Sequence, residues 1–264
     1  MFPLSSLFAV VALYAASVAA QNDTCGCEAT RVGGKRGLAW PSDNNFDPAV
    51  FKTSSNQVTW LYDWGVTPPA KLGTTFPFYV MQWDEQGLDK LNAAVEKADP
   101  EYVLFINEPD NGGQANLSAA DAAKYWKQYA EPLRQKGFKL GSPAYTNAGA
   151  PEGVAWMDEF VKACTNCTWD VTAVHWYGGW TTDLKEHIDA SKKYGKPIWL
   201  TEFALSWDAQ VANYEEFLPL ALQYLDGESA VTSYAFFGAF HSGGAWDMLT
   251  ADGQLTSLGK IYVA

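Results

Sequence analysis

The nine residues Tyr102-Val-Leu-Phe-Ile-Asn-Glu-Pro-Asp110 decide how the rest of the chain is read. Residues 102–106 are β-prone, and the run then stops in Asn107, Glu108, Pro109 and Asp110. Apolar side chains on both parities predict a strand buried on both faces, as in a parallel sheet. Proline donates nothing to a ladder and restricts the residue before it, so the strand is predicted to stop at Glu108. A carboxylate then stands at the carboxyl end of a buried strand, where parallel α/β proteins carry their chemistry. A glutamate that merely caps the following helix is the competing explanation, and this stretch alone does not separate the two.

Working outward, short apolar runs at 36–40, 58–64, 76–83, 139–144, 170–177, 197–203 and 230–237 also read as strands, making eight in all. Helical patterns fall between them, clearest at 85–97, 118–135, 152–163, 181–193 and 211–225. In 118–135, Ser118 and Asp121 form a capping pattern, and Ala122, Trp126, Tyr129 and Leu133 share a face. Pro132 predicts a kink in the last turn, and Gly137 suits the end. Strands alternating with helices in one α/β domain of this length predict a single (β/α)8 TIM barrel. An open doubly wound sheet is the alternative, but no G-x-G-x-x-G follows the first strand.

Residues 4–20 form an uncharged apolar stretch ending in Val18-Ala19-Ala20, the small-residue pattern of a signal peptidase site. Residues 1–20 therefore read as a signal peptide, 21–35 as a polar N-terminal arm, and 36–264 as the barrel domain. The expected location is secreted, extracellular or in the cell wall, with no membrane association after cleavage. A formal charge of −12 argues against nucleic acid or anionic lipid as partner. Cys25, Cys27, Cys164 and Cys167 give an even count, which in an exported chain predicts two disulfides with three possible connectivities. Zinc is a poorer reading, since no histidine lies nearby. Asn22, Asn116 and Asn166 open N-x-S/T sequons and are candidate glycosylation sites.

A barrel would gather its strand ends on one rim. That rim collects Trp40, Asp63 with Trp64, Trp83, Asn107 with Glu108, Ala144 with Tyr145, His175 to Tyr177, Glu202, and Phe236 with Phe237. Each has a bland explanation alone, packing for the aromatics and a satisfied structural role for His175; their joint placement marks a site. Aromatic residues make up 15% of the chain, with 12 Trp, and aromatic faces stack on the C–H faces of sugars. Glu202 closes the seventh strand as Glu108 closes the fourth. Two such carboxylates fit glycosidic bond cleavage, one protonating the leaving oxygen and the other attacking the anomeric carbon. A Mg²⁺ or Ca²⁺ site is the competing use, but no further acidic cluster at the strand ends completes it, so neither metal nor cofactor is expected.

Several stretches carry a family resemblance: Arg36-Gly-Leu-Ala-Trp40, Tyr62-Asp-Trp-Gly65, Phe105-Ile-Asn-Glu-Pro-Asp110, Gly141-Ser-Pro-Ala144, Val174-His-Trp-Tyr177, Pro197-Ile-Trp-Leu-Thr-Glu-Phe203, Phe237-Gly-Ala-Phe240 and Leu255-Thr-Ser-Leu-Gly259. Together they resemble glycoside hydrolase family 128, the alkali-sensitive-linkage-protein-like catalytic core, over nearly all of the chain past residue 35. The resemblance implies a retaining endo-β-1,3-glucanase acting on β-glucan poly- or oligosaccharide, and a monomer is expected. It implies Glu108 as acid/base, Glu202 as nucleophile, and Asn107 on the sugar 2-hydroxyl. His175 and Tyr177 would lie beside Glu202 and steer it. At strand eight related enzymes often carry Trp where this chain has Phe236 and Phe237, which bears on the floor of the reactive subsite. Such chemistry requires Glu108 to have a raised pKa and Glu202 to stay ionised until it attacks. A glycosidase acting on β-1,4-glucan or mannan, and a non-catalytic glucan-binding wall protein, are the alternatives. Asp110 has no assigned role.

Overall fold

All eight expected strands form, each parallel to its neighbours. They are β1 (Arg36–Ala39), β2 (Val58–Tyr62), β3 (Val80–Gln82), β4 (Tyr102–Phe105), β5 (Lys139–Leu140), β6 (Thr172–Gly178), β7 (Ile198–Leu205) and β8 (Val231–Phe236). The computed structural model describes residues 34–69 and 72–264. The expected signal peptide, most of the N-terminal arm, Asn22, Cys25 and Cys27 lie outside the described residues.

The strands hydrogen-bond as two sheets, one of five in the order β2-β1-β8-β7-β6 and one of three in the order β3-β4-β5. Isolated bridges stand at the two seams: Leu61 at the end of β2 with Phe78 ahead of β3, and, between β5 and β6, Gly141 with Val171 and Tyr145 with Val174. The expected parallel α/β architecture is found, and where a single closed (β/α)8 barrel was expected the strands hydrogen-bond as five plus three. Most strands are also shorter than the apolar runs that announce them. β4 ends at Phe105 rather than Glu108, because Ile106 turns to φ 63° and interrupts the regular ladder.

The helices follow the alternation: α1 (Leu88–Ala98), α2 (Ala119–Tyr125), α3 (Glu131–Gln135), α4 (Gly153–Ala163), α5 (Thr181–Ser191) and α6 (Val211–Gly227). Between α2 and α3 the chain makes a π-turn over Trp126–Ala130. Pro132 has no N–H for the regular i→i−4 bond, and the wider turn absorbs the mismatch where a kink was expected. A final helix, α7 (Ser257–Val263), begins where the Thr256 hydroxyl accepts from the Gly259 N–H; at seven residues it is too short for periodicity to reveal.

Strand parity divides the buried side chains. Ala39, Trp60, Met81, Tyr102, Leu104, Ala173, Trp199 and Ala235, from seven strands, pack with one another on one side. Trp199 on β7 meets Tyr102 on β4 at a centroid distance of 4.3 Å, joining the two sheets. Leu38, Trp40, Val103, Val174, Leu200 and Phe236 take the other parity and pack with the helices. Among the described cysteines, Cys164 and Cys167 are disulfide-bonded to each other at the end of α4. Asn116 and Asn166 are exposed. Among the described residues no helix is long and apolar enough to cross a membrane.

Candidate active site

Glu108 reaches the strand ends because the chain leaves β4 early. The N–H groups of Ile106, Asn107 and Glu108 donate to Gln82, Trp83 and Ala144 carbonyls at 2.7, 2.8 and 2.8 Å. Those bonds hold Ile106 and Glu108 at φ of 63° and 40°. Left-handed backbone costs a non-glycine residue about 1–3 kcal/mol, and a β-branched one is an outlier there. Beyond it, Pro109 starts a turn closed by the Asn111 N–H on the Glu108 carbonyl at 3.0 Å. The turn brings the Asn111 amide back to donate to Glu108 Oε2 at 2.8 Å.

Glu202 sits on a comparable irregularity. The β7–β8 register shifts between Leu200 and Phe203, and the β6–β7 register shifts between Val174 and His175. Such shifts re-aim the side chains beside them. Glu202 Oε1 accepts from Trp64 Nε1 at 2.6 Å and from Tyr62 Oη at 3.4 Å, and Oε2 accepts from Tyr177 Oη at 2.7 Å. Burial and the Glu202 charge raise both tyrosines well above the ordinary phenol value, so each stays a donor.

His175 is fully buried between the two carboxylates. Its Nδ1 lies 2.9 Å from Glu108 Oε1, and its Nε2 lies 3.5 Å from Glu202 Oε1. His175 thus lies beside Glu202, as the resemblance implied, but its shorter bond goes to Glu108. Parity fixes the face a side chain shares and not which partner it reaches. One oxygen from each glutamate and one His175 nitrogen lie within 4.8 Å of one another, a spacing that a cation could also use. Here Trp64, Tyr177 and Asn111 already donate to the carboxylate oxygens.

Burial alone pushes the Glu108 carboxyl up; the hydrogen bond and charge of His175 and the Asn111 amide outweigh it and hold it below the ordinary carboxylate value. This reverses the expectation of a raised Glu108 in the free protein. Burial alone likewise pushes His175 down, but the charges of Glu202 and Glu108 and the Glu108 hydrogen bond raise it. Both shifts favour the proton on His175 over Glu108.

The pair opens into a cavity of about 820 Å³ whose lining divides by chemistry. Trp64, Trp83, Tyr177, Phe237 and Phe240 supply aromatic surface; Phe237 packs edge-on against Trp64, Tyr177 and Phe240. Asn107, Asn111, Gln114 and Asn147 supply amides. Asn107 Nδ2 donates to Gln114 Oε1 at 3.1 Å, while its buried Oδ1 has no protein partner. A buried acceptor without a partner is costly unless a ligand hydroxyl satisfies it. Trp40 and Phe236 do not reach the cavity. They are 1% and 0% exposed, packed against Phe51 and against Phe203 and Tyr214. Both take the helix-facing parity of their strands, which their position at a strand end conceals.

Asp110, unassigned from sequence, is a clamp. Its carboxylate accepts from the Thr146 N–H and hydroxyl and from the Gly153 N–H at 2.8 Å. A Cβ at Gly153 would meet the Ala148 carbonyl oxygen at 2.1 Å, so only glycine admits this approach. Asn147 in the same loop exchanges two hydrogen bonds with the Tyr177 backbone. Asn111, Tyr62 and the clamp were missed by the sequence reading. Only Asn111 left a signal, three residues past Glu108 across a proline turn.

Fold and site together define a class: a parallel α/β protein whose strand ends hold a buried carboxylate pair under an aromatic and amide-lined cavity, the apparatus of glycoside cleavage. The chain belongs to the glycosyl hydrolase catalytic core family, whose profile matches residues 37–262, and within it to glycoside hydrolase family 128. It is 35% identical over 248 residues to alkali-sensitive linkage protein 1 of Schizosaccharomyces pombe, covering 88% of this chain and 45% of that protein. The chain therefore spans less than half of that relative's length. Among solved structures it is similar to an endo-β-1,3-glucanase of Lentinula edodes, with 29% identity, a TM-score of 0.75, and coverage of 87% of this chain and 99% of that one. A curdlan-specific exo-β-1,3-glucanase of Blastomyces gilchristii, in complex with glucose, matches at 32% identity, a TM-score of 0.73, and coverage of 87% and 97%. An oligosaccharide-binding protein of Cryptococcus neoformans matches at 27% identity, a TM-score of 0.71, and coverage of 88% and 93%.

Proposed function

We propose that this chain is a secreted, monomeric, retaining endo-β-1,3-glucanase that cuts internal bonds of wall-type glucans. The observation that carries this reading is the Glu108–His175–Glu202 constellation at the cavity, with an oxygen of each carboxylate within 4.8 Å. Retaining glycosidases hold their carboxyls about 5–5.5 Å apart and inverting ones about 6.5–9.5 Å, so the spacing favours retention. The β-1,3 linkage is supported by the activities of the Lentinula and Blastomyces relatives. The strands are read as one (β/α)8 barrel, supported by the three bridges at the two seams and by the Trp199–Tyr102 contact.

In the reaction Glu202 Oε attacks the anomeric carbon as the glycosidic C–O bond breaks, and Glu108 gives its proton to the leaving oxygen. The glycosyl–Glu202 ester is then cleaved by water, whose proton passes to Glu108. Glu108 obtains its proton from His175 along their 2.9 Å bond. A bound sugar expels water, and a drier site favours the neutral pair over the charged one. The Asn107 Oδ1 takes the sugar 2-hydroxyl.

A glucan-binding protein without turnover is the second reading, favoured by the depressed Glu108 and by the Cryptococcus relative. Incubation with linear β-1,3-glucan, cellulose and mannan separates these readings. Cleavage of β-1,3-glucan with a β-anomer as first product by NMR is expected. An α-anomer overturns double displacement, cleavage of only another polymer overturns the substrate, and binding without products favours the second reading. Glu202→Gln is expected to lose turnover and keep glucan binding. Export is checked by the mature amino terminus, expected at Gln21.

A further inference from the structure

The cavity above Glu108 and Glu202 does not end at its own walls. Pro41 and Phe240 line it and also line a second depression of about 410 Å³. That depression lies between the segment after β1 and the segment after β8, on neighbouring strands of the five-stranded sheet. Its volume falls within the range of small-ligand pockets, about 300–1,000 Å³. Its lining offers the exposed Asp43 carboxylate, the Asn45 amide, the His241 imidazole and the Phe46 ring. A carboxylate and an amide beside an aromatic ring suit a neutral polyhydroxylated ligand, with hydroxyls to the polar groups and a C–H face to the ring.

The depression is built rather than incidental. Asn44 Nδ2 donates to the Ala239 carbonyl at 2.8 Å, tying the segment after β1 to the segment after β8. Phe46 is packed closely over Gly253, where a Cβ would meet its ring at 2.8 Å. On the other side Asp247 accepts from the N–H groups of Ser242 and Gly243, both at 2.7 Å, and its Oδ2 lies 3.1 Å from His241 Nδ1. These contacts fix Phe46 and His241 on opposite segments around one hollow.

We propose that this second depression is a remote glucosyl subsite, which takes a sugar unit of a β-glucan chain whose cleaved bond lies over Glu108 and Glu202. The proposal rests on the glucanase reading of the main cavity. A chain must be long enough to pass Pro41 and Phe240 before it gains these contacts. Catalytic efficiency therefore rises with chain length until the subsite is filled.

The test is a length series of β-1,3-gluco-oligosaccharides given to wild type, Asp43→Ala and Asn45→Ala, each checked for an unchanged unfolding temperature. For Asp43→Ala the ratio of kcat/KM on long chains to kcat/KM on the shortest cleaved chain falls about tenfold, the loss of one hydrogen bond to a charged group. A ratio equal to wild type in both variants overturns the subsite. If wild type cleaves no β-1,3-glucan, the glucanase reading fails separately, and the same series is read as affinity by calorimetry on Glu202→Gln. There, affinity that rises with length and loses its rise in Asp43→Ala supports the subsite. Affinity independent of length, or no binding, overturns it.

Discussion

His175 is the residue on which the proton inventory of the site turns. The last proton of the Glu108–His175–Glu202 cluster leaves from the imidazole, whose pKa is raised above 6.5. Glu108 alone would lose that proton in a carboxyl range. His175→Gln is therefore expected to move the alkaline limb of the kcat/KM profile to lower pH and to lower kcat, measured as pH–rate profiles of both proteins. Asp63 gives a stability counterpart. Burial, opposed by the Gly65 N–H, raises its carboxyl to about 6 from an ordinary 3.8. The folded state then holds a proton that the unfolded state has released, so stability falls as pH rises through this window. Asp63→Asn, which keeps an acceptor for Gly65, is expected to be more stable than wild type by about 1–2 kcal/mol at pH 8. The two proteins are expected to match at pH 4; urea unfolding at both pH values checks this. At this scale Glu108, Glu202, Asn107 and Tyr177 were legible because each stands near the carboxyl end of an apolar run. The resting place of the proton was not, because it depends on two carboxylates from distant strands.

The elements place these residues by breaking their own regularity. β4 stops at Phe105, the β6 and β7 registers shift at His175 and Glu202, and Trp64 leaves β2 at φ 61°. The apolar runs announced the strands correctly but carried no mark of these interruptions, which local sequence tolerates and tertiary hydrogen bonds impose. The loop clamp is the other device at this scale. Asp110 binds Thr146 and Gly153, and Asn147 between them binds Tyr177, so one loop ties the Glu108 turn to the strand that supports Glu202. Asp110→Ala leaves those N–H groups unpaired and is expected to cost about 2–4 kcal/mol. It is also expected to raise KM more than it lowers kcat, with partial recovery in Asp110→Asn. Denaturant unfolding and steady-state kinetics on β-1,3-glucan check both parts.

Across the whole molecule, the two sheets meet through side chains. Trp199 contacts Tyr102 at 4.3 Å, Trp60 at 5.3 Å and Tyr79 at 5.6 Å, so one residue of the larger sheet packs on the first strand of one seam and on the smaller sheet. Removing a buried aromatic of this kind costs about 3–5 kcal/mol. Trp199→Ala is expected to show that loss in urea unfolding and a Tm lower by roughly 6–15 °C. Losing less than about 1 kcal/mol would mean that the sheets are held chiefly by the seam bridges.

The sequence by itself determined the order of eight parallel strands, the intervening helices and the two glutamates at the ends of the fourth and seventh runs. Periodicity, proline and apolar content act over a few residues, so they survive in one dimension. Only the tertiary structure decided that Trp40 and Phe236 belong to the core, that His175 bonds Glu108 first, and that Asp110 is a clamp. Those outcomes depend on strand parity, on register shifts of one residue and on charges brought together from remote parts of the chain. Each is a through-space quantity, and a local pattern does not encode it.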